Sequence, residues 1–229
     1  MAYAVLHTPV IRPRRCNGAM NFSARRFLLA GLAAFALAGA AFAVRRPLMM
    51  PAPRCLAGRW HGCLDTENGV VLMTLAGLPL AALAVWALTL LRPDIKTALA
   101  EVGMVYGTVP FLWMTLMPGP GAGIVPGRVS LIPLRDLVTM GPIGIGGNLL
   151  VFAALGFFAP IRFAALASGP RILALGAGCS AVVETAQYVF RLDRVSSVDD
   201  VLVNAAGALL AGLAARRWWH APPVPRHRL

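Results

Sequence analysis

Charge is scarce in this sequence. Only 13% of its 229 residues are charged, against about 25% in an average soluble domain. Acidic residues number nine, and lysine occurs once. So few polar side chains cannot cover a soluble domain of this size, and a disordered chain or a coiled coil is excluded with it. Four cysteines in an apolar chain this long do not make a disulfide scaffold. All four histidines lie outside residues 97–219, so that stretch has no histidine metal spacing. A GxSxG nucleophile turn and a phosphate-binding glycine loop are also missing.

What the sequence does have is long apolar runs. Hydrophobic residues make up 58% of it, and runs of about 18 or more read as transmembrane helices. Six runs meet that measure: 27–44, 69–91, 97–117, 143–163, 172–190 and 198–215. The expected fold class is therefore all-α, a polytopic membrane helix bundle of about six transmembrane helices. The expected organisation is a basic disordered tail at 1–26, two helices with an outer loop at 27–96, a four-helix membrane domain at 97–219 and a cytoplasmic tail at 220–229. Arg25-Arg26, the run from Phe27 to Val44 and Ala41-Phe42-Ala43 also fit a cleaved signal peptide, and Met20 is an alternative start.

The formal charge is +12, and twenty of the 21 cations are arginine. In a soluble chain that balance points to nucleic acid. Here the cations lie mostly between apolar runs, so membrane lipids are the expected partner and nucleic acid is not. With the N-terminus inside, 13 cations fall in inner segments and 8 in outer ones. Both termini are then expected to be cytoplasmic, because cations accumulate on that side. Cys55 and Cys63 fall in an outer loop, where they could close a small disulfide loop or stand as two free thiols.

The later spans carry polar residues that cost about 2.5–3.5 kcal/mol each when charged at the membrane centre. Such residues usually face the bundle interior and mark function. Glu184 lies seven residues before Arg191, or about 10 Å inside the outer end of its helix. Asn204 lies about 6 Å inside the outer end of the last helix, and Asn148 about 9 Å inside its own. All three converge on one depth, as one polar pocket open to the outside would require. Ser180, Glu184, Gln187 and Arg191 share a helix stripe, as do Asp200, Asn204 and Gly207. The candidate pocket residues are thus Asn148, Glu184, Gln187, Arg191, Asp199, Asp200 and Asn204, with Arg191, Asp193, Arg194, Asp199 and Asp200 forming a mixed-charge lip over the pocket. The alternative role for these groups is bonding between helices. Glycines 144, 146 and 147 suit close approach at the top of the fourth helix. Glu101 sits near an inner helix end, where Arg92, Lys96 or the 162–171 connection could neutralise it. Residues 118–141 are too rich in Pro and Gly for a helix over much of their length. That segment is the candidate lid, with Arg135 and Asp136 as its polar residues.

Three stretches resemble the VanZ-like family of membrane proteins: SLIPLRDL at 130–137, GNLLVFAALGFFAP at 147–160 and SAVVETAQYVFRLDRVSSVDDVLVNAAGALLAG at 180–212. Asn148, Phe152, Gly156, Pro160, Glu184, Gln187, Arg191, Asp199, Asp200, Asn204 and Gly207 fill the family's places. The resemblance spans roughly residues 97–219. One departure is the Leu-Arg-Asp lid sequence, where many members carry an aromatic residue after Pro. The resemblance implies a cell-envelope context and, through the family's name, a link to resistance to the antibiotic teicoplanin; it supplies no reaction.

Three functions follow as expectations. The first is binding of a peptidoglycan-precursor, lipid-linked glycan or glycopeptide-antibiotic head group. The second is a membrane enzyme acting on such a lipid, with Glu184, Asp199 and Asp200 as acid–base groups or oxygen ligands to Mg²⁺. No catalytic residue is assigned, and neither cofactor nor resident metal is expected. The third is a transporter, which would need polar residues across the membrane and an inverted repeat, and the sequence offers neither.

Overall fold

A computed structural model of the chain describes residues 62–92 and 94–219 continuously, with isolated positions before residue 62. The expected first span at 27–44, the N-terminal tail and the C-terminal tail lie outside the described residues in whole or large part.

Helix α1 (Glu67–Leu91) starts at Thr66, whose hydroxyl accepts from the Gly69 amide at 3.1 Å. Helix α2 (Ile95–Leu116) starts at Asp94, which accepts from the Lys96 amide at 3.0 Å and the Thr97 hydroxyl at 2.6 Å. These caps satisfy amides that the first helical turn leaves unpaired. A non-helical segment follows and holds strand β1 (Arg128–Ser130). Helices α3 (Leu137–Val151) and α4 (Ala153–Arg162) are one apolar run broken at Phe152. A second break falls at Gly141, whose φ of 68° and ψ of 167° suit only glycine. Pro142 follows it and disfavours helical geometry in the residue before. A short turn at Ala164–Leu166 leads into α5 (Gly169–Val189). Strand β2 (Val195–Ser197) then pairs in parallel with β1, Arg128 opposite Val195 and Ser130 opposite Ser197. Helix α6 (Val198–Ala214) completes the bundle, with a last turn at Arg216–Trp218.

Among the described residues, four helices are long and apolar enough to cross a membrane: α1, α2, the α3–α4 run and α5. The expected count of six is not reached. The first expected span is not described, and α6 has only 17 residues, about 26 Å. Large apolar side chains remain exposed along α1, among them Leu80 at 72% and Trp86 at 59%. Such a face suits hydrocarbon better than water. The parallel strand pair is a further departure from an all-helical expectation. It arises because the Pro- and Gly-rich segment lies beside the turn that enters α6.

Helix α6 is held closely by its neighbours. A Cβ at Gly207 would fall 2.0 Å from the Leu149 carbonyl oxygen, and one at Gly156 would fall 2.0 Å from that of Ala208. Small residues at both places let the backbones of α3, α4 and α6 touch. Gly146 and Gly147 do not act this way, since a Cβ at either meets nothing within 4 Å. At the other end, Glu101 accepts from Arg162 at 2.6 Å and from Arg92 at 3.1 Å, which ties the start of α2 to the end of α4.

Candidate functional site

Helices α3, α5 and α6 bring Asn148, Glu184, Gln187, Asp200 and Asn204 to one cavity of about 560 Å³. Asp136 and Arg194 reach the same space, and so do Arg128 and Asp193. The periodicity of α5 explains part of this. Ser180, Glu184 and Gln187 are all under 9% exposed and stand on one stripe facing α6.

Each polar side chain has a definite partner. The Asn148 amide donates to Asp200 Oδ1 at 2.5 Å. The Gln187 amide donates to the Thr115 carbonyl at 2.9 Å. Glu184 Oε2 accepts from the buried Ser197 amide at 2.9 Å, and its backbone carbonyl accepts from the Ser196 hydroxyl at 2.7 Å. The Asn204 amide nitrogen donates to the Ser180 hydroxyl at 2.8 Å. Its Oδ1 is buried and has no hydrogen-bond partner, although Asn204 as a whole is only 2% exposed. Asn204 lines the cavity, so an unmet polar atom stands beside that space.

Ser197 joins three parts of the site. Its amide serves Glu184, while its hydroxyl donates to Asp136 Oδ2 at 2.7 Å and accepts from the Asp199 amide at 3.2 Å to cap α6. Ser130 lies beside the same Asp136 carboxylate, although its hydroxyl makes no hydrogen bond of good geometry. The Ser130 and Ser197 hydroxyls hold the Asp136 carboxyl below its ordinary value, against an opposing effect of desolvation.

Two expected pocket residues are placed elsewhere. Asp199 is 1% exposed and does not line the cavity. Its Oδ1 accepts from the Leu134 amide at 2.5 Å, and its Oδ2 from the Asp136 and Leu137 amides at 2.8 and 3.1 Å. It clamps the 118–136 segment to the start of α6. Arg191 is exposed, with φ at 49°, and its carbonyl accepts from the Gly123 amide at 2.9 Å. It serves the turn between α5 and β2. Of the lid pair, Asp136 lines the cavity, whereas Arg135 is exposed and does not.

The segment itself is fastened over the bundle. Besides the Asp199 clamp, Asp193 accepts from the Gly121 amide at 3.0 Å and pairs with Arg128 at 3.2 Å. The Gly119 amide donates to the Leu192 carbonyl at 2.9 Å. Arg194 extends the other way and donates to the carbonyls of Met114 and Met117 at 3.2 and 3.3 Å, closing the end of α2. Thr115, Arg128, Thr139 and Ser197 also line the cavity and were not among the expected residues. Nothing in their spacing connects them to the helix stripes.

Metal binding by Glu184, Asp199 and Asp200 is not supported by this geometry. Both Asp199 oxygens are occupied by backbone amides. Among the described residues no group of three or more His, Cys, Asp or Glu is placed to hold an ion.

Cys55 and Cys63 form a disulfide, with Cα atoms 5.5 Å apart. The adjacent Leu64 carbonyl accepts from the Trp113 ring nitrogen at 2.7 Å. The disulfide therefore sits at the same end of α2 as Thr115 and the polar cavity.

Fold and site together define a helical membrane protein with a polar cavity at one end of its bundle. The chain belongs to the VanZ/LLP1 family, whose model matches residues 78–219, more than half of its length. The match starts in α1, well before the stretch that the sequence motifs cover. Comparison with curated proteins and with solved structures finds no match.

Proposed function

We propose that this protein is a multi-pass protein of the cell membrane that binds the head group of a cell-envelope amphiphile, a lipid-linked glycan or peptidoglycan precursor, in its polar cavity. The observation that carries the proposal is the convergence of Asn148, Glu184, Gln187, Asp200 and Asn204 on one cavity of about 560 Å³. That size suits a head group, since small-molecule sites run from about 300 to 1,000 Å³. Amides and carboxylates are the groups that bond sugar hydroxyls and peptide amides.

A lipid carrier is supported by the neighbouring space. Val183 lines both the polar cavity and an apolar cavity of about 610 Å³ between α2 and α5. A ligand with a polar head and a hydrocarbon chain would occupy both.

The outward orientation is supported by the disulfide. Such bonds persist in oxidising compartments, and this one lies at the cavity end of α2. With the 27–44 run and α6 also crossing the membrane, both termini are cytoplasmic. A protein that holds cell-wall precursors at the outer face would also alter sensitivity to glycopeptide antibiotics.

Labelling of single cysteines in intact cells, on a background without native cysteines, tests the orientation. Arg194→Cys is expected to react with an impermeant maleimide from outside, and Ser168→Cys is not. The reverse pattern overturns the assignment to the outer face.

A further inference from the structure

We infer that the head group held in this cavity carries an amine, bound as its ammonium ion between Glu184 and Asp200. The inference rests on the head-group reading above and names the chemical class of its ligand.

The chain has a formal charge of +12, yet its polar cavity is lined by four carboxylates and two guanidiniums. Both guanidiniums are already engaged. Arg128 pairs with Asp193, and Arg194 donates to two carbonyls at the end of α2. Asp136 has the Ser197 hydroxyl. Glu184 is left with one backbone amide and Asp200 with one side-chain amide, and neither makes an ion pair among the described residues. A carboxylate removed from water is stabilised by a paired cation and further hydrogen bonds; here the protein supplies the hydrogen bonds and the charge of Arg194 at longer range, but no ion pair to either carboxylate among the described residues.

Asn204 is the independent sign that a ligand belongs here. It is 2% exposed, lines the same cavity and leaves one amide atom without a partner. Turning its amide over would only exchange which atom is unmet. The orphaned atom calls for a polar ligand, and the two carboxylates state its charge. An ammonium group has three donors and no acceptor, which matches carboxylates that lack an ion-pair partner among the described residues. A phosphate or carboxylate would meet Glu184 and Asp200 as like charges.

The test compares two probes on the full chain in lipid nanodiscs at neutral pH. One is octyl 2-amino-2-deoxyglucoside and the other is its N-acetyl counterpart, which keeps the ring and loses the charge. Empty nanodiscs give the background. The amine probe is expected to bind about tenfold or more tighter than the acetylated one, about 1.4 kcal/mol. Glu184→Gln and Asp200→Asn are expected to abolish that preference, so that each variant binds the two probes equally. Both variants keep an oxygen acceptor, and a normal elution profile confirms that they fold. Equal binding of the two probes, or a preference that survives both substitutions, overturns the ammonium inference and leaves the head-group reading intact. Binding of neither probe overturns both. Displacement of the amine probe by Mg²⁺ or Ca²⁺ would show that the carboxylates serve a metal ion, and would overturn the inference as well.

Discussion

The Ser197 amide donates to Glu184 Oε2 at 2.9 Å, from the last residue of β2 to a carboxylate in the last third of α5. Both groups are buried. This bond joins the turn that enters α6 to the helix stripe that lines the cavity, so the position of Glu184 and the path of the chain depend on each other.

Glu184 is therefore expected to have two separable roles. Glu184→Ala leaves a buried amide unpaired, which costs about 1–3 kcal/mol. Glu184→Gln keeps an acceptor for that amide and removes the charge. Thermal unfolding in detergent should show a clear loss for the alanine variant and a small one for glutamine. Ligand binding and any antibiotic phenotype should fall in both. A glutamine variant with unchanged activity would remove Glu184 from the site.

Asp199 is expected to matter for structure more than for binding. It accepts three backbone amides and holds Leu134 at a φ of 65°, a region that side chains other than glycine avoid. Asp199→Ala should cost about 3 kcal/mol or more, because hydrogen bonds to a charged group contribute about 1.5–3 kcal/mol each. Hydrogen exchange should rise first at residues 131–137. Loss of binding without any change in exchange there would point to direct contact with the ligand.

Arg191 offers the opposite case. Its backbone occupies the left-handed region and its side chain is exposed, away from the cavity. Arg191→Gly should fold normally and bind the same ligand, since glycine adopts this conformation without penalty. Selective loss of binding in a well-folded Arg191→Gly protein would restore the arginine to the site.

Gly207 sets the spacing between α3 and α6. Gly207→Leu should prevent assembly of the bundle, because its Cβ would lie 2.0 Å from a backbone carbonyl oxygen that cannot yield. The expected outcome is aggregation or proteolysis in the membrane fraction. Normal yield of a monodisperse protein would contradict this packing.

Asp136 gives the fastened segment a dependence on pH. The Ser130 and Ser197 hydroxyls hold its carboxyl below the ordinary value of 3.8. A group depressed in the folded state adds stability above its unfolded value, and that stability is lost as pH falls through the folded value. The wild type should therefore lose stability more than Asp136→Asn as pH drops below 3.8. Near neutral pH the wild type should be the more stable of the two. Parallel melting curves across that range would show that the two hydroxyls do not favour the charged form.

Much of this protein was set by its sequence alone. Apolar runs of membrane length dictate helices, because a buried backbone in hydrocarbon must satisfy its own hydrogen bonds. The spacing of Ser180, Glu184 and Gln187 puts them on one face of a helix whatever surrounds it. Hydropathy could not show that Asp199 and Asp200, neighbours in sequence, part company. Asp199 turns under the 118–136 segment, while Asp200 faces Asn148 across the cavity. Nor could it show that Arg128 and Ser197 reach the same space as Glu184. Those outcomes depend on where an irregular segment lies over the bundle. That placement is fixed by bonds between residues more than 60 positions apart, from Asp136 to Ser197 and from Leu134 to Asp199. Local periodicity determines a helix face, whereas long-range pairing of buried polar groups decides which face becomes a site.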